Sequence, residues 1–150
     1  MENKGKEFRL IRGRVRARDT EGYKEIVIKV IPHEKQKYPT VGNYWKEKRR
    51  IQFRISNMWD WKFHMLVFIH EFVEWVLVEE HGINIKDIDK FDIRFEKRRE
   101  LGLEKEEAEP GDDKKSPYYK EHQIATKFEK LLAKKLGVSW EQYNKAVMEA

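Results

Sequence analysis

Apolar and polar residues alternate with a period of two in three early stretches of the chain. From Phe8 to Arg18, Arg12, Arg14, Arg16 and Arg18 fall on one face and Ile11, Val15 and Ala17 on the other. Asp19 to Gly22 supply a turn, and Ile26, Ile28 and Val30 again face one way between Tyr23 and Ile31, the pattern of a β-hairpin. Pro32, Pro39 and Gly42 mark the next segment as a loop, after which Ile51, Phe53 and Ile55 alternate with Gln52, Arg54 and Ser56 in a third strand. The period then changes. A nearly unbroken apolar run predicts a long helix from Met58 to Glu80, opened by Asn57 with Asp60 and closed by Gly82. Ile88, Phe91 and Phe95 recur at helical spacing, residues 96–117 form a long polar loop, and Tyr118 to Leu136 is amphipathic, with Ile124, Ala125, Phe128, Leu131 and Leu132 on one side. Ser139 and Gln142 make a capping box that opens a last helix. These elements predict an α+β domain over residues 7–150 behind a flexible 1–6. Its three-stranded antiparallel sheet packs against a long central helix and two to three further helices.

At 150 residues the chain fits one domain, and 39% hydrophobic against 39% charged residues gives a water-compatible protein that still has material for a core. The absence of cysteine excludes disulfides, thiolate metal sites and a cysteine nucleophile, and points to a reducing, cytoplasmic setting. Neither the N-terminus nor any internal run has the apolar core of a signal peptide or a membrane span. A net charge of +5 permits an anionic partner without requiring one. The abundance of Lys and Glu is similar to thermophile composition.

Three polar residues interrupt the apolar run between Met65 and Val78. His70, Glu71 and Glu74 are spaced HExxE, which puts His70 and Glu74 within about 40° of each other on the helix and Glu71 to one side. Burying carboxylates without partners costs several kcal/mol each, so a cation, a counter-charge or a raised pKa must accompany them. Downstream, the string SPYYKEHQIAT puts Glu121 and His122 at the head of the amphipathic helix. Periodicity favours Glu121 as a third ligand and charge balance favours His122, the other then orienting the site or facing substrate. Asp92, on the side of Ile88 and Phe95, is a further candidate. A two-metal carboxylate site of Glu71, Glu74, Glu121 and Asp92 ranks below these, because di-iron helices carry ExxH.

The HExxE helix resembles the HExxH helix of the zincin metallopeptidases, and RIQFRIS running into it resembles the edge strand and active-site helix of minimal zincins. The resemblance implies His70 as a metal ligand, Glu71 as general base for the attacking water, and Glu74 in the place of the second histidine. The cofactor expected is a divalent metal ion, zinc first, with a carboxylate ligand that also suits manganese or iron. The strings HEFVEWVL, PGDD, SPYYKEH and IATKFEKLLAKKLGV also resemble small proteins carried by phages and prophages, which implies the host cytoplasm and no mechanism. The function expected is metal-dependent hydrolysis of a peptide or protein. The alternative is a non-catalytic phage binding module in which HExxE is a buried polar network and Arg12, Arg14, Arg16 and Arg18 meet nucleic acid or a protein.

Overall fold

The computed structural model describes residues 22–150. Its elements run β1 (Glu25–Ile31), β2 (Gly42–Glu47), β3 (Arg50–Ser56), α1 (Trp61–Glu80), α2 (Ile85–Glu100), α3 (Tyr119–Lys135) and α4 (Trp140–Glu149), an α+β arrangement. The strand expected at Phe8–Arg18, with its four arginines, lies outside the described residues.

The sheet is mixed, not antiparallel: its order is β1-β3-β2, with β3 parallel to β1 and antiparallel to β2. The difference comes from Gly42–Glu47, which Pro39 and Gly42 mark as loop but which pairs as a strand. It turns into β3 through Lys48, at φ 57°, and Arg49. Since β2 occupies one edge of β3, β1 takes the other, and RIQFRIS becomes the middle strand instead of an edge. Ile51, Phe53 and Ile55 are wholly buried on the face that meets α1, where the Phe53 ring packs edge-on to Phe68 and Trp75.

Helix α1 begins three residues later than the sequence pattern suggests. Asn57 accepts from the Trp59 amide, Trp59 sits at φ 64°, and Asp60 caps the helix by accepting from the Lys62 amide. At the other end Gly82, at φ 68°, lets the Ile83 amide reach the Val78 carbonyl. The helix is not enclosed as a central rod. It packs on the sheet and on α3, but Met65 and Val76 stay exposed along an open flank. Leu66 and Val67 of α1, Ala133 of α3, Tyr143 of α4 and Ile55 of the sheet close a shared core. Among the described residues no helix is long and apolar enough to cross a membrane.

Candidate metal centre

Helix α3 packs against α1 through its small and polar face, and this brings the candidate residues together. His122, Ala125, Glu129 and Ala133 are buried, while Ile124, Phe128 and Leu131 are exposed, so the large apolar stripe points outward. The small side chains of Ala125 and Ala133 suit close approach, and His122 lands opposite the HExxE turn. His70 Nε2 lies 3.1 Å from His122 Nδ1 and 3.2 Å from Glu74 Oε2, and His122 Nδ1 lies 3.0 Å from that same Glu74 oxygen. All three side chains are buried, with His70 only 8% exposed.

The outward atoms of each of the three are also held. His70 Nδ1 meets Glu129 Oε1 at 2.8 Å, and the Tyr143 hydroxyl donates to the other Glu129 oxygen. The Tyr44 hydroxyl donates to Glu74 Oε1 at 3.0 Å. His122 Nε2 meets Glu109 Oε2 at 3.1 Å and Asp112 Oδ1 at 3.5 Å. When a carboxylate takes the proton of one ring nitrogen, the other nitrogen of a neutral imidazole turns its lone pair inward. Two imidazole nitrogens and one carboxylate oxygen then face a common centre, and such an array needs protons or a cation between its members. Without a cation it takes protons. Burial alone would lower the histidines, but Glu129 and Glu74 raise His70 to about 10, and Asp112, Glu109 and Glu74 raise His122 to about 12. Burial likewise opposes ionisation of Glu74, yet bonds from His122 and His70 hold it well below the usual carboxylate range.

The donor set fits a divalent metal. Tetrahedral zinc with bonds of about 2.0–2.1 Å has ligand atoms about 3.4 Å apart, close to the 3.0–3.2 Å edges of this triangle. Three such side chains, each oriented by a carboxylate or phenol, could hold a metal ion in the manner of three-ligand sites.

Glu71 is half-buried beside the triad, and its carboxylate carries no hydrogen bond among the described residues. Burial, and then the charge of Glu74, raise its pKa, so it holds a proton to higher pH than an ordinary glutamate. It rests on the start of β2: a Cβ at Gly42 would come within 2.7 Å of its Cγ and Oε1. His122 is backed in the same manner by Gly111, where a Cβ would lie 2.3 Å from the ring Cγ and 2.4 Å from Nδ1. Gly111 belongs to a 3-10 turn, Pro110–Asp112, and Arg99 bonds the Glu106 and Ala108 carbonyls just before it.

Of the residues singled out from the sequence, His70, Glu74 and His122 meet in the triad with Glu71 at its side. Glu121 is elsewhere: its carboxylate takes His81 Nδ1 at 2.8 Å, because one residue of helix rotates it about 100° from His122 and toward the end of α1. Asp92 is buried on α2, accepting from Tyr118 at 2.8 Å and Tyr38 at 3.2 Å, and lines the same cleft as Glu71. His64 accepts from the Met58 amide. Tyr44 is turned inward onto Glu74, and Trp45 lies under Lys37 at 3.5 Å and Arg54 at 4.9 Å. Sequence reasoning missed Glu129, Tyr143, Tyr44, Glu109, Asp112, Gly42 and Gly111. Only Glu129 carried a signal, as a glutamate seven residues after His122 and so on its face.

Comparison with protein-family models, curated proteins and solved structures returns no match for this chain.

Proposed function

We propose that the protein is a metal-dependent hydrolase of zincin-like chemistry, acting on peptide bonds. The observation that carries the reading is the convergence of His70 Nε2, Glu74 Oε2 and His122 Nδ1 within 3.2 Å, each held from behind by a dedicated partner, beside a carboxylate without one. A divalent cation on these three atoms would supply Lewis acidity, acidifying a water molecule and stabilising negative charge on the carbonyl oxygen under attack.

The chain's own residues do the rest. Glu129 and Glu109 fix the tautomers of His70 and His122, so that the inner nitrogens are free to bind. Tyr44 holds the outer oxygen of Glu74 and leaves Oε2 toward the centre. In its ionised form, which the charge of a bound cation would favour over the proton that burial and Glu74 otherwise hold there, Glu71 would accept the proton of the attacking water and pass it to the departing amine. It rests against the Gly42 backbone and lines the cleft.

Glu71→Gln tests the reading, since it removes the base and spares the ligands. Zinc binding should be retained while hydrolysis of a quenched-fluorescent peptide library falls by about 10²–10⁴-fold. Full turnover in this variant would remove Glu71 as the base. A wild-type protein that takes up no zinc, and cleaves nothing, would leave His70, Glu74 and His122 as a structural network.

A further inference from the structure

The cleft beside the triad has a charge that the rest of the chain does not. Lys and Arg outnumber Asp and Glu by 32 to 27 overall, yet eleven carboxylates border this cleft against one arginine, one lysine and the triad histidines, which are paired with Glu74, Glu109 and Glu129. Arg99 and Lys130 are engaged as well. The Arg99 guanidinium binds the Glu96 carboxylate and the carbonyls of Glu106 and Ala108, and the Lys130 ammonium lies over the Trp140 ring.

The wall comes from two separate segments, α2 with Asp89, Asp92 and Glu96, and the loop that carries Glu107 and Glu109. Asp92 lies deepest, 7% exposed, and its partners are two neutral phenols, Tyr38 and Tyr118. A buried carboxylate steered by phenols and lacking a counter-charge is an arrangement that an organic cation completes, through a charge-assisted hydrogen bond and the ring faces beside it. A metal ion is not indicated there, because neither of the metal-competent groups among the described residues includes Asp92.

We infer that the cleft selects substrates carrying an alkylammonium or guanidinium group near the bond to be cut, seated on Asp92 between Tyr38 and Tyr118. The inference rests on the hydrolytic reading for its catalytic meaning, although the recess would bind the cation without turnover. Two sources present this chemistry: a lysine or arginine side chain within a peptide, or the free α-amino group at its end. A polyanion such as nucleic acid is repelled from the same wall.

The test separates binding from catalysis. Zinc-loaded Glu71→Gln, which cannot turn over, is titrated calorimetrically with acetylated, amidated pentapeptides of alanine bearing Lys, Leu or Glu at the centre, and with the Leu peptide left unacetylated. We expect the Lys peptide, or the unacetylated one, to bind about 10-fold more tightly than the acetylated Leu peptide, and the Glu peptide to bind weakest. The first outcome assigns the recess to a side chain and the second to a chain end. Adding Asp92→Asn, which removes the charge at nearly constant shape and keeps an acceptor for one of the two phenols, should reduce the preference to less than about 3-fold. Salt should do the same in the unaltered recess, which requires no second substitution to fold. Equal binding of the Lys, Leu and Glu peptides, or a preference that survives Asp92→Asn, overturns the inference. Cleavage by the wild type without charge preference sinks it while leaving the hydrolase standing. Charge-selective binding without cleavage does the reverse.

Discussion

Gly42 and Gly111 lie directly against Glu71 and His122, and their substitutions should have different consequences. At Gly111 an added methyl meets the His122 ring itself, which is buried and tied to Glu74 by one nitrogen and to Glu109 by the other. Gly111→Ala should therefore cost about 1–3 kcal/mol of stability and weaken zinc binding, by about 10–100-fold if the ring is displaced as an outer-shell mutation displaces a ligand. At Gly42 the methyl meets the far part of the Glu71 side chain, which can move. Gly42→Ala should leave zinc affinity near wild type and lower turnover, a split that paired metal titrations and peptide assays would reveal. Glu129→Gln keeps the shape but gives His70 Nδ1 a weaker acceptor, so zinc affinity should again fall by about 10–100-fold. That His70 and Glu74 meet inside the fold was legible in the sequence, because a carboxylate in an apolar helix advertises a cost. Tyr44 and Gly111 were not, since a tyrosine in a short strand and a glycine in a polar loop acquire meaning only when tertiary packing brings Glu74 and His122 to them.

At the scale of elements, α3 shows where periodicity misleads. Five apolar residues at helical spacing mark one side, yet of these only Ala125 is fully buried, and it is so together with His122, Glu129 and Ala133. The requirement for close approach to α1, and for satisfied polar groups at the interface, outweighed the size of the apolar side chains. Two substitutions check this in chemical denaturation. Ala133→Leu should overpack the α1/α3 contact and cost about 1–3 kcal/mol, whereas Leu131→Ala should change stability by no more than about 0.5 kcal/mol. The helices themselves were readable, and their ends were where a cap stands clear: Ser139 caps α4 as its spacing predicts, whereas Asp60 and not Asn57 caps α1, and Asn84, which caps α2, gave no pattern of its own. The sheet was less so. β3 alternates clearly, but β2 hides between Pro39 and a basic turn, and no local pattern says that β1 joins β3 in parallel, since that pairing is set by which edge is free.

For the whole molecule, the buried cluster makes metal-free stability depend on pH. His70 and His122 gain protons on folding, so their contribution is complete below their ordinary value of 6.5 and is lost as pH rises through about 10 and about 12. Asp92, raised from 3.8 to about 7 chiefly by burial, is penalised over that interval and works in the same direction. Stability of the metal-free protein should accordingly fall between pH 6 and pH 9, as urea midpoints in the presence of a chelator would show. Zinc bound in place of those protons, as proposed, should raise the midpoint by an amount that grows over that range.

That exchange leads to the most direct test, zinc binding followed by proton release. Chelator-treated, untagged protein titrated with zinc at pH 7.5 in two buffers of different ionisation enthalpy should bind one equivalent and release protons, with binding abolished in His122→Ala and preserved in Glu121→Gln. Uptake that survives His122→Ala, or no uptake at all, would contradict a metal centre built on His70, Glu74 and His122.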